Sequence, residues 1–178
     1  MIRQYSIILL PLLVFNILSS KGFSQKNDVF AREFVEIWER SAEYTIKVAQ
    51  LMPEEYYNFR PNEETFTFSQ QIAHIITNIY WLNSTFILNE VNPIKDSNLE
   101  DLSKEELIKY FEDASKYVLK SAEDLSDKQV STPIIFAGVI MTKKRIFYLM
   151  RDHLTHHRAQ SIVYLRLNGI QPPKYVGW

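Results

Sequence analysis

The four histidines of this 178-residue chain lie in two places, His74 alone and His153, His156 and His157 together in Asp152-His153-Leu154-Thr155-His156-His157-Arg158-Ala159-Gln160. Residues 153 and 157 are four apart, so on a helix their imidazoles leave the same face one turn from each other. That spacing suits a divalent cation, which takes neutral imidazole nitrogen at about 2.0–2.1 Å. Three imidazoles and no fourth protein ligand would leave an open coordination position, the arrangement of reactive metal sites rather than structural ones. The bland alternative makes each histidine a hydrogen-bonded core residue, and an HxxxH pair alone does not separate the two. With no cysteine in the chain, thiolate ligands, disulfides and a cysteine nucleophile are excluded.

The elements that must carry these residues read as helices. Ile146, Leu149, Met150, His153, His157, Gln160, Tyr164 and Leu167 follow spacings of three and four, which puts His153 and His157 in or beside an apolar stripe and His156 just off it. On an earlier segment, Gln70/Gln71, His74, Asn78 and Trp81 keep the same rhythm among Ile72, Ile75 and Ile76. Imidazoles in apolar stripes cost desolvation unless both nitrogens find partners. A shared cation would take one nitrogen of each ring, and a neighbour would take the other. Asn78, Gln160, Thr77 and Asp152 are the candidates by helical proximity. Tyr80, Trp81 and Tyr164 read as core aromatics. Lys143, Lys144, Arg145 and Arg151 read as a solvated basic face.

Four amphipathic segments account for most of the chain. The first runs from about Asp28 to Met52, with Phe30, Phe34, Ile37, Tyr44, Val48 and Leu51 on one face and Pro53 as its stop. An aromatic linker, Glu54 to Phe66, is expected to pack over the bundle end. The second segment runs from about Phe68 to Asn89 behind a Thr67/Gln70 capping box, and the third from Ser103/Glu106, a second box, to Leu125. Residues 126–139 contain Pro133 and Gly138 and read as a loop. The fourth segment starts near Thr142 and ends at Asn168-Gly169. Amphipathic helices of this length make an all-α four-helix bundle.

Ahead of the bundle, Arg3 precedes an apolar run from Ser6 to Leu18 and a stretch of small polar residues ending near Gln25. This is the build of a secretory signal peptide, residues 1–25, with an uncleaved anchor as the alternative. Residues 26–178 form the domain, exported to the periplasm or the exterior. The membrane is met only through the leader. The chain has 20 basic and 21 acidic residues, net −1. Loss of residues 1–25 removes Arg3 and Lys21 and no acid, giving net −3. Such a balance offers nothing for a phosphate backbone, so no nucleic-acid partner is expected.

Two stretches resemble the DinB (DinB/YfiT-like) family. One is Leu51-Met52-Pro53-Glu54-Glu55-Tyr56-Tyr57-Asn58-Phe59-Arg60-Pro61 with Phe68-Ser69-Gln70-Gln71-Ile72-Ala73-His74-Ile75. The other is the 152–160 string with Tyr164-Leu165-Arg166 and Asn168-Gly169-Ile170-Gln171-Pro172-Pro173. The resemblance implies an up-down-down-up bundle with a crossover connection. It implies a metal ion (zinc, nickel or iron) on His74, His153 and His157, a small-molecule substrate, and thiol-dependent transfer or isomerisation in members with activity. It also implies a homodimer. Two functions follow as expectations: a metal-dependent thiol S-transferase or hydrolase, or a non-catalytic metal-binding or stress-related envelope protein.

Overall fold

Backbone amides at helix starts have no intrahelical acceptor, and this chain meets the deficit with side chains. In the computed structural model, which describes residues 29–177, Thr67 Oγ1 accepts from the Gln70 amide at 3.1 Å while Gln70 Oε1 accepts from the Thr67 amide at 2.9 Å. This box opens α2, Phe68–Leu82. Ser103 and Glu106 open α3, Lys104–Asp124, in the same way. Thr142 opens α5, Lys143–Leu167. The first helix, α1, Val29–Leu51, is capped from far away: Asp127 accepts from the Val29 and Phe30 amides at 3.2 and 3.1 Å. At the other end of α5, Gly169 adopts φ +71° and closes the helix. Residues 1–28, where a signal peptide is expected over 1–25, and Trp178 lie outside the described residues.

Helices dominate the fold. α1 packs against α3 and α5, and α2 packs against the same two, so consecutive α1 and α2 are not principal neighbours. Lys104, at the start of α3, donates to the Gln50 and Met52 carbonyls at the end of α1, both at 2.9 Å. Gln71, in the first turn of α2, bonds Gln160 and Tyr164 near the end of α5. Lys143, which starts α5, reaches the Ile87 carbonyl at the far end of the α2 segment. These ties fix which helix ends meet, and they place the start of α2 beside the last turns of α5.

The core holds Phe34, Trp38, Met52, Phe68, Phe111 and Phe147, all fully buried. Two details of α1 differ from the expected stripe. Leu51 is exposed and Ile37 half-buried, whereas Trp38 and Met52 are buried. The cause is that α1 is flanked by two helices, so its buried arc is wider than one stripe and includes the four-residue row 30, 34, 38, 42.

Residues 126–139 are not a plain loop. A third capping box, Ser126/Gln129, starts the single turn α4, Asp127–Val130. Strands β1, Pro133–Phe136, and β2, Val139–Thr142, then pair antiparallel, with Ile135 opposite Ile140. The connection is Ala137-Gly138, both at positive φ (49° and 78°), which is the two-residue turn that matches strand twist. The helical class holds, and the loop expected over 126–139 is corrected to a single helical turn and a small hairpin attached to a mainly helical body. The α2 segment also ends differently from an ordinary helix, widening into a π-helical stretch, Asn83–Leu88, and stopping at Asn89 with φ 58°.

Candidate metal centre

α2 supplies His74, and α5 supplies His153 and His157. The antiparallel meeting of the α2 start and the α5 end brings all three together. Their ring centroids are 4.9 Å (74–153), 4.6 Å (74–157) and 4.4 Å (153–157) apart. One nitrogen from each ring lies within 4.8 Å of the other two. The Nε2 atoms of His74 and His153 are 3.2 Å apart. Two nitrogens held at 2.0–2.1 Å from a tetrahedral ion sit roughly 3.4 Å from each other, so the donor set fits one small divalent cation. His157 is buried, and His74 and His153 are half-buried. His156 is exposed, turns its Nε2 to the Gln160 amide at 2.8 Å, and is not in the group.

Hydrogen bonds determine which nitrogen of His157 is available. The Tyr164 hydroxyl donates to the Phe66 carbonyl at 3.0 Å, a group that can only accept. Its oxygen can then only accept from Gln71, 3.2 Å away, so that Gln71 atom is the amide NH2. The same NH2 donates to Gln160 Oε1 at 2.7 Å. Gln71 Oε1 is left facing His157 Nδ1 at 2.6 Å, and an acceptor there requires the proton on Nδ1. Nε2 of His157 therefore keeps its lone pair. Holding a ring by its outer N–H is how proteins orient metal-ligating histidines.

The partner of His157 is Gln71, which the helical-proximity reading did not select. Gln160 stands one bond further out. Thr77 bonds back to the Ala73 carbonyl at 3.0 Å, and Asp152 pairs with Arg151 at 2.8 Å on the exposed face. Asn78 Oδ1 is buried without a hydrogen-bond partner among the described residues. Phe66 was also missed. From the linker it sets its ring edge-on to His74 at 5.3 Å and nearly parallel to His157 at 6.4 Å. The sequence signal for Gln71 is its place one turn before His74, on the same face; a linker phenylalanine carries no periodic signal. Tyr164 is buried, as a core aromatic, but its hydroxyl is a link in the network. Beside His74 a cavity of about 280 Å³ opens between α2 and the Ser97–Glu100 turn, with Phe66 and Thr77 in its wall.

Burial is the main reason the imidazoles resist protonation. His157 is pushed down to about 3 and His153 to about 4, by burial first and then by the neighbouring imidazoles; His74 is lowered by burial. All three are neutral imidazoles at neutral pH. The sign for stability follows. Unfolded histidines protonate near pH 6.5. Between there and about pH 4 the unfolded chain binds protons that the folded chain refuses, so folding weakens as pH falls. Chelator-treated protein should therefore melt lower at about pH 5 than at about pH 7.5, with the difference much reduced in a His153→Ala/His157→Ala variant. Equal shifts in both proteins would contradict the assignment.

The comparisons with known proteins agree with this architecture. The model of the DinB family matches residues 23–177. The chain is 20% identical over 127 residues to the uncharacterized protein YjoA of Bacillus subtilis, an alignment covering 70% of this chain and 82% of YjoA. The crystal structure of that DinB-like protein superposes with a TM-score of 0.67 at 19% identity, over 80% of this chain and 97% of the other. A DinB-like protein from Bacillus cereus gives 0.69 at 20%, over 82% and 97%. A mutant of a mycothiol-dependent maleylpyruvate isomerase gives 0.60 at 14%, over 72% of this chain and 59% of the isomerase. At these identities the likeness is one of fold.

Proposed function

The chain belongs to the DinB family, and from that premise we propose that it is an exported protein holding one divalent cation, zinc, nickel or iron, on His74, His153 and His157, and using it as a metal-dependent thiol transferase or hydrolase. The observation that carries the reading is the approach of one nitrogen from each of the three rings to within 4.8 Å of the others, with the Gln71 amide fixing the His157 proton on Nδ1 and leaving Nε2 its lone pair. When bound, a divalent ion supplies Lewis acidity, which acidifies water or a thiol or polarises a carbonyl. The chain's own residues orient the site: Gln71 sets one ring, Phe66 packs beside His74 and His157, and the cavity beside His74 gives room for a small substrate. The helix-end contacts are read as an up-down-down-up bundle, with α1 and α5 running one way and α2 and α3 the other. Export rests on Arg3, the apolar run 6–18 and the small residues before Gln25.

Two experiments test this. Replacing Gln71 with leucine removes the acceptor while leaving all three imidazoles, and metal affinity should fall about 10- to 100-fold; unchanged affinity would remove the reason for the tautomer assignment. For catalysis, the metal-loaded protein is offered panels of thiol–acceptor pairs and of esters. Activity that disappears in His153→Ala supports the enzyme reading. Silence across both panels with metal bound favours the non-catalytic envelope protein instead.

A further inference from the structure

A second cavity, of about 190 Å³, lies on the side of α5 away from the three histidines. Arg151, Thr155 and Arg158 are spaced by four and three, so they share one face of the helix, and His153 and His157 leave the opposite one. α1 supplies the facing wall with Arg40 and Tyr44, and the tail closes the cavity with Tyr175. The Tyr44 hydroxyl donates to the Pro173 carbonyl at 3.3 Å, and its ring meets that of Tyr175 edge-on at 6.5 Å. These contacts hold the tail against α1.

Arg158 is the unusual member of this group. It is only 7% exposed, and a guanidinium stays charged wherever it is placed. Burying that charge is costly unless an anion answers it. Its protein partners are all neutral: the Ser41 carbonyl at 3.0 Å, the Thr45 and Thr155 hydroxyls at 3.4 Å, and the Tyr44 ring at 5.0 Å. Three hydrogen bonds leave two of its five N–H groups without an acceptor among the described residues. Arg40 and Arg151 bring two more charges to the same cavity. Their partners, Glu36 at 3.5 Å and Asp152 at 2.8 Å, are exposed carboxylates that do not line it. Exposed pairs of this kind are weak and yield to a better-placed anion. Among the described residues no acid lines the cavity.

We propose that the cavity between α1, α5 and the tail is a binding site for a small phosphate group, as the free ion or as a monoester. Planar guanidinium groups donate in pairs to phosphate oxygens, and three of them answer a dianion better than a single carboxylate charge. Arg158 is the fixed element, held from behind by Ser41 and Thr45. Arg40 and Arg151, half-buried at the rim, release their exposed acids and close on the ligand. Tyr44 and Tyr175 offer ring surface to the organic part of an ester. The proposal does not depend on the metal centre.

Phosphate also binds metal ions, so the test is run on chelator-treated parent and, separately, on His153→Ala. Calorimetric titration with inorganic phosphate at fixed ionic strength should show one site per chain in both, with a Kd of about 1 mM or lower. Phenyl phosphate should compete for that site, and the tighter of the two tells whether the free ion or an ester is the source. Acetate should bind at least about tenfold more weakly. Arg40→Gln/Arg151→Gln changes two half-buried side chains, so it should keep the helical spectrum and weaken phosphate at least about tenfold. Arg158→Lys keeps the charge but loses the planar fork, and should weaken it by a similar factor. If Arg158→Lys does not fold, the Arg40/Arg151 variant decides alone. No binding at about 10 mM phosphate overturns the proposal, as does a double variant that binds like the parent. Acetate that binds as well as phosphate overturns it in favour of a carboxylate ligand. Binding lost in His153→Ala places the phosphate at the histidines and overturns it too.

Discussion

His153→Ala is expected to purify folded but without stoichiometric metal. His153 is one of two ligands on a single helical turn, and its Nε2 lies 3.2 Å from that of His74. Its loss leaves two imidazoles on different helices to hold an ion. The cost should exceed the roughly 10- to 100-fold that follows loss of an outer hydrogen-bond partner such as Gln71. The fold should survive, because the ring is only half-buried and burial already disfavours its charged form. Metal content by elemental analysis, with the helical spectrum of the same sample, checks both parts. His156→Ala is the control, since that ring is exposed and faces Gln160. It should bind as the parent does. Metal retained in His153→Ala and lost in His156→Ala would reassign the centre.

The largest stability loss should come from Trp38→Ala. Trp38 is fully buried, stacks on Phe34 at 5.6 Å, and donates its indole N–H to Ser115 Oγ at 3.0 Å across the α1–α3 interface. Truncation leaves a cavity the size of an indole and removes the partner of a buried hydroxyl. Large aromatic-to-alanine changes in cores cost about 3–5 kcal/mol, against a total domain stability of about 5–15 kcal/mol. Trp38→Phe should cost distinctly less, because it keeps the ring against Phe34 and loses the hydrogen bond. Denaturant melts measure both. Trp38 is not part of the histidine cluster, so metal affinity of the folded fraction should stay near the parental value. A loss under about 1 kcal/mol for Trp38→Ala would mean that the α1–α3 seam is not packed as described.

How much of this was legible in the sequence depends on the range of the interaction. The pairing of His153 with His157 is local, since four residues along a helix fix both directions at once, and the structure places both rings together. His74 needed more. Its stripe position put it on a buried face, but only the resemblance linked that face to α5, because no local rule tells which two of four helices will touch. Gln71 lay in the same stripe as His74, one turn before it, and was not selected. Its role depends on a contact 86 residues away. The boxes at Thr67/Gln70 and Ser103/Glu106 were readable because capping is a three-residue event. The hairpin was not. Ile134-Ile135-Phe136 and Val139-Ile140-Met141 are apolar throughout, so the alternation that usually reveals a half-buried strand is missing, and the exposed isoleucines are the reason. Trp38 escaped because a helix between two neighbours buries more than one stripe.

The account stands on a cation shared by the rings of α2 and α5. The most direct measurement is elemental analysis joined to X-ray absorption spectroscopy at the metal edge, on protein purified without a histidine tag. The prediction is one divalent ion per chain with imidazole nitrogen neighbours at about 2.0–2.1 Å, absent from His74→Ala. Parental protein that carries no stoichiometric metal after incubation with zinc, nickel or iron, and a His74→Ala variant of unchanged stability, would contradict it.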